Sequence, residues 1–578
     1  MRYHEVVVVG GGLAGLRAAI ELNHHNLKAL VVSRVHPLRS HSLAAQGGIN
    51  AALCNNPRGQ NDSWEKHCFD TIKGSDYLAD QDAVARMVKD GPKRIYEMEH
   101  WGCPFSRTED GRIAQRPFGG AGFPRTAFAE DKTGHVLLHT LYENAIRYKH
   151  NSERGEMSFL DEAVVVGLII DNGVCRGVVV VHTATGEIEA IHSEAVIFAT
   201  GGSGRIYNNS TNALISTALG MAIPYWAGVP LKDMEFVQFH PTGMVGTFIL
   251  MTEGCRGEGG FLLNSKNERF LANYPDSAKA MEVAPRDIVA RNIQREINEG
   301  RGCGPKKDYI NLDLRHLGEK KIMERLPGIR DLSINFSGVD PIKEPMKILP
   351  VQHYTMGGIH TDIDGKTPME GLYAAGEAAC VSVHGANRLG GNSLLETIVY
   401  GAIAGDACAK FVLGKGTETK KGAKAVEEAL KRETERVEKI RNASGPEVPA
   451  NLREELGAVM AEKVFIFRNE ENLKAAFNKV KELQERAKKI GLSYHGKRAN
   501  FDFLNTLDTL ANIDVAETIV LGALTRKESR GSHFRMDFPK RDDANYLQHT
   551  IMTYSPEGAK YSTHPVALGL YEPKERKY

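Results

Sequence analysis

Gly10, Gly12 and Gly15 stand in the order G-x-G-x-x-G within Gly10-Gly11-Gly12-Leu13-Ala14-Gly15, a spacing suited to phosphate binding. The first glycine permits a tight turn. The second lets a pyrophosphate approach the backbone, and the third lets a helix and a strand pack closely. The N-terminus of the following helix, at Ala14, then faces the phosphates. Alone the motif is weak, but here it follows an apolar first strand, the context that marks a dinucleotide site. The next strand ends at Ser33-Arg34, where an acidic residue ordinarily holds a ribose. Ser33 offers a hydroxyl instead, which disfavours NAD and leaves FAD open.

The elements that must position this turn follow from the pattern. Residues 3–9 are apolar and β-branched and predict a buried parallel strand. A helix over 14–23 and a strand over 30–33 complete a βαβ start. Residues 195–199 and 371–375 predict two further buried strands, each ending at glycine, so one sheet is expected from separated pieces. Residues 233–353 lack a βαβ rhythm and read as an insertion. The texture changes near Thr419. Val426, Leu430, Val437 and Ile440 mark one amphipathic helix, and Leu473, Phe477, Val480, Leu483, Ala487 and Ile490 another. The tail from about Gly531 is polar and rich in turns, and reads as a small separate unit.

With 578 residues the chain is long enough for several domains. Its 73 Lys and Arg against 72 Asp and Glu leave a formal charge of +1, which gives no electrostatic footprint for nucleic acid. Eight cysteines occur with no CxxC pair, so neither a disulfide framework nor a zinc or iron–sulfur site built by this chain is expected. No apolar run reaches the roughly 20 residues of a membrane helix. An anchor, if the protein works at a membrane, is expected from another chain.

A second block narrows the reading. His36-Pro37-Leu38-Arg39-Ser40-His41-Ser42-Leu43-Ala44-Ala45-Gln46-Gly47-Gly48 resembles the flavin-attachment segment of succinate dehydrogenase and fumarate reductase flavoprotein subunits. Blocks similar to that family continue at Gln115-Arg116-Pro117-Phe118-Gly119-Gly120, Gln238-Phe239-His240-Pro241-Thr242-Gly243, Thr252-Glu253-Gly254-Cys255-Arg256-Gly257, Pro285-Arg286-Asp287, His353-Tyr354-Thr355-Met356 and Asn387-Arg388-Leu389-Gly390. The resemblance covers nearly the whole chain, with Arg530 and Arg541-Asp542-Asp543 extending it into the tail.

The resemblance implies FAD bound covalently through His41, with Arg39, Ser40, Gly47 and Gly48 beside it. It implies that fumarate or succinate, a small dianion needing cations and donors at both ends, is held by His240, Thr252, His353 and Arg388, with Phe118 and Gly47 lining the pocket. Arg286 is implied as proton donor, with Glu253 and Arg256 as its relay to solvent. Thr200, Gly201, Asp233, Glu377, Asn392, Ser393 and Leu394 are expected to serve FAD, the last three opening an apolar helix whose dipole faces the reduced ring. No metal is expected.

The fold class implied is α/β: a Rossmann-like FAD-binding domain in two pieces (1–232 and 354–415), an inserted α+β capping domain (233–353), a helical domain (416–530) and a C-terminal domain (531–578). The family also implies an iron–sulfur subunit, a membrane quinone-reactive subunit, and a peripheral place on the cytoplasmic face of the inner membrane. Two rivals are an L-aspartate oxidase-like flavoenzyme, which Arg39-Ser40-His41 argues against, and a flavin electron-transfer subunit without dicarboxylate chemistry, which Arg286, His353 and Arg388 argue against.

Overall fold

A computed structural model describes residues 2–149, 156–415 and 422–577. The valines of Arg2–Val9 form the centre of a seven-stranded sheet. Ala29–Ser33 and then Met157–Asp161 extend it in parallel on one side, and Ile188–Phe198 pairs in parallel on the other, with Val9 opposite Phe198. Leu372–Ala374 joins Ile188–Phe198 in parallel, while Val174–His182 and Ala163–Asp171 add antiparallel strands. The sheet is thus gathered from distant pieces of chain, as expected. Val6, Val7, Val8 and Val9 are buried because helices or strands cover both faces.

Helix Leu13–His24 leaves the glycine turn and packs against helix Asn392–Lys415. Gly401 and Gly405 permit that contact: a Cβ on either would stand 2.7 or 2.8 Å from the carbonyl oxygens of Ala14 and Ala18. Asn392–Lys415 is also long and apolar enough to cross a membrane, with a mean hydropathy of 1.3 over its best window. This corrects the expectation that no such segment exists. Its window is 61% buried inside the protein, which accounts for its apolar character without a bilayer.

A separate four-stranded antiparallel sheet runs in the order Val237–Met244, Met346–Thr355, Ile310–Asp313, Phe261–Leu263. It has its own hydrophobic core around Leu262, Phe270, Ile293, Leu312 and Ile348. Helix Arg286–Asn298 lies against it. This is the inserted capping layer.

Helices Ala423–Arg441, Pro449–Lys463, Glu470–Ala487 and Phe501–Thr525 follow. The expected change of texture near Thr419 and the 416 boundary lie outside the described residues. Ile490, expected on the helix with Leu473 and Leu483, lies beyond its end at Ala487, yet is buried. The tail is not set apart as its composition suggested. Gln548–Thr553 pairs antiparallel with Leu231–Lys232, inside a five-stranded sheet that also holds Gly358–His360, Ala379–Cys380 and Lys560–Pro565.

Candidate active site

The glycine turn opens onto a cavity of about 490 Å³. Gly10 has φ +115°, and a Cβ there would stand 2.2 Å from the carbonyl oxygen of Ala199, so only glycine fits. Gly12 and Ala14 line the cavity. Gly15 does not: it packs on the turn itself, where a Cβ would meet the Gly10 carbonyl oxygen at 1.9 Å. Opposite the turn, Thr200, Gly201 and Glu377 line the same space. The hydroxyls of Thr200 and Ser40 are buried and find no hydrogen-bond partner among the described residues. Such orphans facing a cavity are what a bound polyhydroxy ligand would satisfy. Burial raises the Glu377 carboxyl to about 8, although the Thr355 amide donates to it at 3.1 Å.

Ser40, His41, Gly47 and Gly48 reach this cavity from the segment after the second strand, where a short 3-10 turn spans His41–Ala44. His41 Nδ1 accepts the Ala213 amide at 3.2 Å. Burial, with help from the Arg205 charge, lowers the imidazole to about 4, so the ring is neutral near pH 7 and its Nε2 is the nitrogen left open. Gly47 sits against Phe118, whose Cζ would be 2.7 Å from an added Cβ.

At the far end of the cavity the capping layer contributes its polar groups. Gln238, His240 and Thr242 lie on the irregular strand Val237–Met244, and of the three His240 lines the cavity. His240 Nδ1 accepts the Thr242 amide at 3.2 Å, which places the ring proton on Nε2. That Nε2 is buried without a partner among the described residues. The His353 ring stands 4.8 Å from that of His240, and its Nδ1 meets the Thr211 hydroxyl at 2.8 Å. Burial first, then the neighbouring Arg286 charge, hold both imidazoles well below their usual range.

Arg286 opens its helix and donates from Nε to Glu253 Oε2 at 2.7 Å and from Nη1 to Gln238 Oε1 at 3.2 Å. The other Glu253 oxygen accepts the Gly119 amide at 2.6 Å. Burial works to raise the Glu253 carboxyl, but the Arg286 and Arg256 charges outweigh it and hold it below its usual value. Arg388 donates to Gln238 Oε1 at 3.0 Å and to Ser393 Oγ at 2.9 Å, and its guanidinium lies 4.3 Å over the Tyr354 ring. Burial, then repulsion from Arg286, pushes Arg388 down to about 9. Two buried cations, Arg286 and Arg388, next to neutral imidazoles favour an anionic ligand.

A family model described as an FAD binding domain matches residues 5–394, and one described as the fumarate reductase flavoprotein C-terminus matches 453–578. The fumarate reductase flavoprotein subunit of Mycobacterium tuberculosis is 43% identical over 589 residues, with 100% of this chain and 99% of the relative covered. The mitochondrial succinate dehydrogenase [ubiquinone] flavoprotein subunit of Oryza sativa subsp. japonica is 42% identical, with 100% and 93% covered. The chain belongs to the succinate dehydrogenase and fumarate reductase flavoprotein family. Among solved structures, an E. coli quinol fumarate reductase chain superposes with a TM-score of 0.94 at 40% identity, covering 100% of this chain and 99% of that one.

Five residues expected at the flavoprotein site lie off the cavity lining. Gly15 packs on the glycine turn. Arg39 is exposed, turned out of the 3-10 segment. Asp233 bonds His549 Nδ1 at 2.6 Å and the Thr550 amide at 3.0 Å, so its carboxylate ties the tail strand to the core. Asn392 Oδ1 accepts from Asn50 at 2.8 Å and meets His67 Nε2 at 3.0 Å, leaving Ser393 and Leu394 to face the cavity. Arg256 is buried behind Glu253 and donates to the Glu282 carbonyl. Ser33 lines the cavity, but its hydroxyl donates to the Val35 carbonyl at 2.5 Å, so it is not a free donor to a ribose.

Other residues around the site, one behind the lining and two in it, carried no expectation. Gln238 bridges Arg286 and Arg388 through one carbonyl oxygen, and its place two residues before His240 was the available signal. Thr211 and Ala213, which orient His353 and His41, come from a loop whose sequence holds no pattern of its own.

Proposed function

We propose that this flavoprotein interconverts fumarate and succinate, with FAD as resident cofactor joined to His41. The observation that carries the reading is a single cavity in which a dinucleotide cradle meets Arg286, Arg388, His240 and His353, with Glu253 buried behind Arg286. Bound FAD supplies hydride exchange with the carbon–carbon bond of the dicarboxylate.

The chain's own residues do the rest. His240 donates from Nε2 to one carboxylate, with Thr252 beside it. His353 and Arg388 take the other. Burial and then repulsion from Arg286 depress Arg388, and a dianion between the two guanidiniums offsets that repulsion. Arg286 Nη2 makes no hydrogen bond among the described residues, whereas Nε and Nη1 are engaged. Nη2 therefore delivers the proton to the carbon that does not receive hydride. Arginine is a weak acid, with a pKa above about 12, but a developing carbanion is a far stronger base, and the positive charge stabilises it before transfer. Glu253, bonded to Nε, passes a proton from solvent back to the guanidine, with the Arg256 charge holding the Glu253 anion in place.

The link to His41 rests on the Ala213 amide. A ring substituted at Nε2 keeps its lone pair on Nδ1, the atom that already accepts this hydrogen bond. An iron–sulfur subunit and a membrane quinone-reactive subunit complete the reading and hold the chain at the cytoplasmic face of the inner membrane. Its support is that one solved relative is described as a quinol–fumarate reductase with menaquinol molecules, and that no two of the eight cysteines of this chain stand in a CxxC spacing.

The test is fumarate reduction by the FAD-loaded chain with reduced viologen, with malonate as competitor. Flavin bound without turnover or malonate binding sinks the reading. Acid denaturation followed by electrophoresis tests the link: flavin fluorescence should stay with the polypeptide.

A further inference from the structure

The helix that presents Arg286 begins without a side-chain cap, its N-cap being Pro285. Its second residue, Asp287, has a side chain only 1% exposed. A carboxylate that deep needs partners, and its own helix supplies only Arg291 Nη2, at a long 3.4 Å. The main partner comes from the far end of the chain: Arg576 Nη2 donates to Asp287 Oδ2. The same guanidinium donates from Nη1 to the Gly74 carbonyl at 3.2 Å, and its Nε lies 3.9 Å from Asp76 Oδ2.

Arg576 is itself held. Arg541 donates to the Lys574 carbonyl at 2.8 Å and to Asp76 Oδ1 at 2.9 Å. Asp76 has φ +56°, an unusual backbone state for this residue, and accepts the Gly531 amide at 2.9 Å. One anchored guanidinium thus joins the tail, the FAD-binding core at Gly74–Asp76 and the first turn of the capping-layer helix.

We infer that Arg576 is a positioning residue for Arg286: it clasps Asp287 and so fixes the helix turn from which the Arg286 guanidinium reaches substrate. This rests on the reading of Arg286 as proton donor. Without Arg576, Asp287 is a buried carboxylate with one long hydrogen bond, and the turn must shift to hydrate it. Arg286, one residue away, moves with the turn. His240, His353 and Arg388 stand on other elements and stay in place. Turnover should therefore fall while dicarboxylate binding holds.

The experiment compares Arg576→Ala, Arg576→Lys, Asp287→Asn and Arg576→Ala with Asp287→Asn together, at confirmed FAD content and thermal midpoint. Readouts are kcat for fumarate, the malonate dissociation constant, and hydrogen exchange at the Ile288 and Val289 amides, which bond to the Pro285 carbonyl. Arg576→Ala is expected to lower kcat about tenfold, a size typical of misplacing an acid that contributes about 100-fold or more, with malonate affinity within about twofold. Exchange at the two amides should quicken at least about tenfold. Arg576→Lys should recover most of the kcat. The double variant should be no worse than the poorer single one, because both substitutions break one contact. Unchanged amide exchange in Arg576→Ala overturns the clasp, whatever the enzyme's substrate, as do additive losses in the double variant. If the unsubstituted chain fails to reduce fumarate, the functional reading fails, and the exchange data alone decide the clasp.

Discussion

At the scale of single residues, the division between holding substrate and moving a proton is what substitutions resolve. Arg286 shares Gln238 with Arg388 and Glu253 with no other side chain at the site. Arg286→Ala should lower kcat by ~100- to 10,000-fold or more, since both acid and charge are lost, while malonate still binds through His240, His353 and Arg388. Near-normal kcat at saturating fumarate, with malonate binding lost, would make Arg286 a clamp. His41→Ser is expected to leave FAD bound in the Gly10–Gly15 cradle but free of the polypeptide. Losing an electron-withdrawing substituent lowers the flavin potential, so succinate oxidation should suffer more than fumarate reduction. Equal losses in both directions at full FAD content would show that the link does not tune the potential.

Individual elements are pinned by buried charge as well as by apolar packing. Strand Gln548–Thr553 is the clearest case. His549 is buried between Asp233 at 2.6 Å and Asp80 at 3.0 Å. Burial opposes the charged ring, but the two carboxylates prevail and raise it to about 9. A raised histidine contributes stability that is fully present below its unfolded value near 6.5 and is lost as pH climbs through about 9. The thermal midpoint should therefore fall between pH 6.5 and 9, and His549→Gln should flatten that part of the curve. An unaltered slope in the variant would place the pH dependence in other groups.

Over the whole molecule, the capping layer has a hydrophobic core of its own, while Val237, Phe239 and Ala290 join the core of the FAD-binding sheet, and the site lies where the two layers face each other. Such an arrangement excludes water from hydride transfer when the layers are closed. On the proposed reading electrons pass to an iron–sulfur subunit. The isolated flavoprotein should reduce fumarate with viologen yet show no quinol-linked turnover until an iron–sulfur subunit is added. Quinol-dependent activity from this chain alone would remove the need for that partner.

The strands at Arg2–Val9 and Ala29–Ser33, the glycine turn between them and the family of the chain were all legible in the sequence. Each rests on local chemistry: β-branched runs, a glycine spacing, and motifs whose residues act in fixed order. The α/β class with an inserted capping layer was legible for the same reason. What tertiary structure alone decided was the destination of side chains whose neighbours are hundreds of residues away. Asp233 looks like a flavin ligand in its motif, yet His549 claims it. Asn392 opens the right helix but turns toward Asn50 and His67. Helix Phe501–Thr525 lies within the expected helical domain but shows no amphipathic period, because it is buried on nearly all sides. The tail reads as a separate polar unit, yet its strands complete a sheet begun near residue 231. Sequence carries what a residue can do. Burial and long-range pairing decide which of those things it does, because a buried polar group must bond to whatever partner the fold brings within reach.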